Sequence, residues 1–99
     1  MVQELFMTSK ELDIYKKLNT VKQQRDYEKY CILKKIRELK QQLEKYKEDV
    51  EQVELFNMSR EDYQAKKQLC IDIILKLRKL EERLKYIENE EKLEKGFYL

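Results

Sequence analysis

Cys31 and Cys70, seven tyrosines and the adjacent carboxylates Glu81-Glu82 and Glu90-Glu91 are the residues of this 99-residue chain whose types suit nucleophilic or acid–base chemistry. Their surroundings argue against it. The chain has no histidine, which removes the commonest general base and metal ligand. It also has no CxxC, no glycine-rich phosphate loop and no nucleophile elbow. The carboxylate pairs lie in strongly charged helical sequence, where no cleft would move their pKa values toward neutrality. The sequence therefore predicts a non-enzymatic protein with no cofactor and no metal.

The remaining side chains with recognition chemistry are aromatic and basic. Tyr27, Tyr30 and Tyr86 suit stacking on bases or packing against a further helix, and at helical spacing the second is commoner. Lys34, Lys35, Arg37, Lys40, Arg78 and Lys79 wrap around the helical surface instead of lining one face, which disfavours a nucleic-acid footprint. The net charge of +2 conceals blocks: residues 16–47 hold eleven Lys/Arg against four acids, and residues 48–62 hold six acids against Arg60. A basic shaft and an acidic tip follow, either as solvated helix surface or as a surface for an acidic partner.

The elements that position these groups are helices. Charged residues make up 42% of the chain, with no proline and one glycine, while apolar residues reach 41% and are periodic, which excludes disorder. Ile32, Ile36, Leu39, Leu43, Tyr46, Val50 and Val53 repeat every three and four positions, as do Tyr63, Cys70, Ile73, Leu77, Leu80, Leu84 and Ile87. Folding the chain back at Met58 superposes the two stripes. Val53 then meets Tyr63, Tyr46 meets Cys70, Leu43 meets Ile73, Leu39 meets Leu77, Ile36 meets Leu80 and Ile32 meets Leu84. The prediction is an all-α protein: one domain over 1–99, formed by two long helices in an antiparallel coiled-coil hairpin.

Helix one is expected over about 9–55, entered through Thr8-Ser9-Lys10-Glu11, and helix two over about 60–94, entered through Ser59-Arg60-Glu61-Asp62. A turn at 56–59, centred on Phe56-Asn57-Met58, joins them, and a short tail covers 95–99. A single continuous helix is the competing structure. It fails because it would place Asn57, Arg60, Gln64, Lys67, Arg78 and Glu81 in the core. Polar seam positions support the turn, since the same mirror sets Glu94 opposite Lys22 and Glu91 opposite Arg25, whereas Lys66, opposite Val50, is left without a partner. Glu4-Leu5-Phe6, Ser9-Lys10-Glu11 and Lys16-Lys17 recur fifty residues on as Glu54-Leu55-Phe56, Ser59-Arg60-Glu61 and Lys66-Lys67.

The hairpin separates Cys31 from Cys70 by over about 20 Å, too far for a disulfide. With no apolar run long enough for a membrane span and no signal peptide, the expected location is the cytoplasm, with the nucleus second. Two helices bury one stripe each, so the leftover apolar surface is where partners are expected. Ile71, Ile74 and Leu75 project away from the partner helix. Helix one is the longer, so Ile14, Tyr15, Leu18 and Val21 are expected to overhang helix two as a second contact site.

Val21-Lys22, Tyr27-Glu28-Lys29 and Asp62-Tyr63 with Lys66-Lys67-Gln68 faintly resemble stretches of tubulin-binding cofactor A, a family of small helical chaperones of β-tubulin. Asp62-Tyr63-Gln64-Ala65-Lys66-Lys67 with Cys70 and Lys76-Leu77 resembles the coiled-coil end of occludin and ELL proteins. Each likeness covers a few dozen residues at most, and both families use three helices where this pattern supplies two long ones. Neither assigns the chain to a family. The function expected from the sequence is a structural or adaptor subunit that binds protein partners by helix packing, as a homo-oligomer or hetero-complex, in an intracellular assembly, the cytoskeleton included. A cofactor-like chaperone is the alternative, and nucleic-acid binding the third.

Overall fold

The computed structural model describes residues 2–51 and 59–94. They form a short 3₁₀ helix, Val2–Leu5, and three α-helices: α1 (Ser9–Lys17), α2 (Val21–Glu51) and α3 (Arg60–Glu94). There is no strand among the described residues. The two long helices, α2 and α3, pack against each other as an antiparallel hairpin. Arg25, near the start of α2, pairs with Glu90 and Glu94 near the end of α3. At the other end Lys66 of α3 reaches Asp49 of α2 at 2.8 Å.

The expected turn residues Phe56, Asn57 and Met58, the Val53–Tyr63 layer and the tail at 95–99 fall wholly or partly outside the described residues. Ser59 is described and caps α3: its hydroxyl accepts the Asp62 N–H at 3.2 Å and its carbonyl the Tyr63 N–H at 3.0 Å. The first of these bonds satisfies an amide that the first helical turn leaves without an intrahelical acceptor, and the second is the opening bond of the helix.

Mirroring about Met58 gives the register to within one helical turn. Arg25 grips Glu90 and Glu94, which flank the Glu91 expected opposite it, and Glu91 instead accepts from Lys29 at 3.2 Å. Glu94 therefore pairs with Arg25, not Lys22. Long side chains reach up and down the axis, so the register fixes which turn is met but not which carboxylate. Lys66 also differs from the sequence expectation of an unpartnered ammonium, because Asp49, one position before the Val50 it faces, lies within reach.

The larger difference is in helix one. The sequence suggests one helix over about 9–55, but the structure breaks it at Leu18-Asn19-Thr20. Thr20 is a second N-cap whose hydroxyl accepts the Gln23 N–H at 3.1 Å, while the Gln23 side chain accepts the Asn19 N–H at 3.3 Å. This Thr-x-x-Gln arrangement is a capping box in all but the last amide, and it starts a new helix. Gln24 Nε2 adds a bond to the Leu18 carbonyl at 3.3 Å, satisfying an acceptor at the end of α1.

The break lets α1 fold back onto the hairpin. Thr8 and Glu11 form a full capping box, with Thr8 N to Glu11 Oε1 at 3.0 Å and Glu11 N to Thr8 Oγ1 at 3.2 Å. The other Glu11 oxygen accepts from the Cys31 thiol of α2 at 3.2 Å. Phe6 and Met7, just before α1, are buried in one cluster with Cys31, Ile32, Ile36, Leu39, Ile73, Leu77, Leu80 and Ile87, and Leu12 and Tyr15 of α1 pack on it. Burial is deepest where this third layer lies: Ile32 is 0% and Ile87 1% exposed. Nearer the turn only two helices meet, and Tyr46, Val50, Tyr63 and Cys70 are half-buried. Two cylinders can shield one stripe each, so a dry core needs the third segment.

Candidate interaction surface

The face of α3 turned away from α2 carries three exposed aliphatic side chains. Ile71, Ile74 and Leu75 are 43%, 38% and 48% exposed, whereas Ile73 and Leu77, one and two positions away, are buried. The spacing i, i+3, i+4 sets all three on one side of the helix. It is opposite the stripe of Ile73, Leu77 and Leu80, because 100° per residue turns that stripe half a revolution from Ile71 and Leu75. Lys67 and Arg78 extend the same face at its two ends. Asp72 flanks it and accepts from Gln68 at 3.0 Å.

The second expected site does not overhang. Tyr15 and Leu18 are half-buried, Tyr15 against the core of the chain's own hairpin, because the break at 18–20 turns α1 back. Ile14 at 40% and Val21 at 57% remain exposed on the outside of this corner. A seam-based reading treats helix one as a rod, and a rod must protrude. Only the cap at Thr20 signals otherwise, through the residues Asn19-Thr20 and Gln23.

A feature beyond the sequence expectation lies where the 3₁₀ helix meets the hairpin. Phe6, Leu39 and Leu80, all nearly fully buried, floor a cavity of about 230 Å³ whose rim is Lys35, Lys76 and Lys79. Read along the sequence, these cations wrap around the shaft. In space α2 and α3 bring Lys35 beside Lys76 and Lys79. Leu5, 64% exposed, and Arg83 complete the lining. Arg83 is engaged elsewhere: its Nε donates to Glu28 at 2.7 Å, and its guanidinium lies 5.2 Å from the centre of the Tyr86 ring. Glu28 is 2% exposed, and its bond holds the Arg83 pKa above the usual arginine value. A buried carboxylate is tolerated here because its counter-charge is in direct contact.

Tyr27 packs on the core with its ring centre 6.2 Å from that of Tyr30. Tyr30 and Tyr86 are more than half exposed. The two cysteines are free. Cys31 is buried, and its thiol is pushed up to about 12, first by burial and then by its hydrogen bond to Glu11. Among the described residues there is no cluster of three or more Cys, Asp and Glu able to hold a metal ion. No helix among them is long and apolar enough to cross a membrane. Compared with protein-family models, with curated proteins and with solved structures, the chain matches none of them.

Proposed function

We propose that this chain is a non-enzymatic adaptor: a helical hairpin that packs against a helix of a protein partner, a second copy of itself included, in an intracellular and cytoskeletal setting. The observation that carries this reading is the outer face of α3. Three neighbouring aliphatic side chains stand exposed there at helix-packing spacing, on a helix whose opposite stripe is already buried. Apolar anchors at i, i+3 and i+4 are what a partner helix reads in a groove contact. Ile71, Ile74 and Leu75 supply apolar contact area, and Lys67 and Arg78 set orientation at its ends.

The test is Ile71→Glu combined with Leu75→Glu. The parent chain is expected to associate in solution, and the double variant to have a lower mass by light scattering at unchanged helix content. Equal masses for the two proteins would count against this surface.

A further inference from the structure

We propose that the lysine-rimmed cavity beside Phe6 is a second, independent contact site, and that it receives the acidic segment of another copy of this chain, with Phe56 as its apolar anchor. The cavity's chemistry is specific. Its floor is apolar, formed by Phe6, Leu39 and Leu80, and three ammonium groups surround its mouth. Among the described residues Lys35, Lys76 and Lys79 form no ion pair with a carboxylate. A volume of about 230 Å³ is below the range of drug-sized pockets and above the 150 Å³ that holds a benzene ring. It therefore suits one aromatic side chain flanked by carboxylates.

The chain itself contains such a ligand. Residues 48–62 carry six acids and one arginine around Leu55-Phe56. Within them Glu54-Leu55-Phe56 repeats Glu4-Leu5-Phe6, the triplet whose Leu5 and Phe6 already form part of the cavity wall.

Chain length requires this contact to be between copies. Lys76 lies sixteen residues along α3 from Arg60, about 24 Å at 1.5 Å per residue. Phe56 is four residues from Arg60 and, at full extension, reaches about 14 Å. Phe56 thus falls short of its own cavity, and the partner is another copy. Basic rim and acidic segment then attract each other across the encounter, which raises the association rate and makes binding salt-dependent.

The experiment titrates a labelled peptide of residues 48–62 into the full-length protein and follows fluorescence anisotropy. Saturable binding is expected, weakened about tenfold by Phe56→Ala in the peptide, and about tenfold by Lys76→Gln with Lys79→Gln in the protein. These two lysines are exposed, so the variant keeps its helix content in circular dichroism. Should it not, the peptide substitution alone decides. No binding at peptide concentrations up to about 1 mM would overturn the proposal. Equal binding of a scrambled peptide of the same composition would also overturn it, by showing charge attraction without a seat for Phe56. An uncharged Ile71→Ala and Ile74→Ala variant binds the peptide as the parent does, which separates this site from the outer face of α3; Leu75→Glu would instead place a carboxylate one helical turn from Lys79.

Discussion

Glu11 joins two helices with one carboxylate. One oxygen closes the cap of α1 and the other accepts the thiol of Cys31 on α2. Both bonds favour the ionised form, and the Thr8 amide contributes most to holding Glu11 below its ordinary 4.5. Stability from Glu11 is therefore present above that value and is lost as pH falls through the lowered one. Cys31 acts in the opposite sense. An unfolded thiol loses its proton near 9.0, whereas the buried one keeps it to about 12. Across that window the unfolded chain binds fewer protons, so stability falls as pH rises. Tyr27, raised above 10.0 chiefly by desolvation, adds to the same slope. The melting temperature is expected to decline between pH 9 and 12, and less steeply in Cys31→Ala; parallel curves would remove Cys31 from the account. At neutral pH iodoacetamide is expected to label Cys70 before Cys31, as read by mass spectrometry, because only Cys70 is partly exposed.

Glu28 and Arg83 form the other residue-scale bond that decides packing. Glu28→Ala leaves a guanidinium with 25% side-chain exposure short of its counter-charge, and a loss of about 1–3 kcal/mol is expected in urea unfolding. Replacing Arg83 as well should recover part of it. A double-mutant cycle with no coupling would show that the pair is merely adjacent.

At the scale of elements, the break between α1 and α2 decides the shape. Removing the hydroxyl in Thr20→Ala unmakes the cap that starts α2, at a cost of about 1 kcal/mol. The substitution also frees the 18–20 segment to become helical, which pulls Phe6 and Met7 from the core. Helix content in circular dichroism is expected to stay level or rise while the denaturation midpoint falls. A midpoint equal to that of the parent would show that packing of Phe6 and Met7, and not the cap, turns the chain. Phe6 and Met7, just before α1, are buried under the hairpin and not merely against their own helix.

For the whole molecule, the outer face of α3 and the cavity beside Phe6 are neighbouring surfaces, Leu75 standing one helical turn before Lys79, and each is proposed to make its own contact. Neither Ile71 nor Leu75 belongs to the buried cluster. The Ile71→Glu and Leu75→Glu variant is therefore expected to melt within about 0.5 kcal/mol of the parent when both are monomeric at high dilution. A larger drop would mean that the aliphatic face is packed on the chain's own fold.

The sequence by itself determined that the chain is helical, that α2 and α3 pair antiparallel, and their register to within a turn. Periodicity and capping are local, and a stripe repeated every three and four residues has only one way to be buried. It determined the exposure of Ile71, Ile74 and Leu75 for the same reason, since 100° per residue sets them off the stripe. Tertiary structure decided that Tyr15 packs against the chain's own hairpin, that Glu11 reaches Cys31, and that Lys35, Lys76 and Lys79 share one rim. Each depends on residues distant in the chain meeting once α1 turns back. Local pattern carries no term for that energy, which comes from burying Phe6 and Met7 against residues of both long helices.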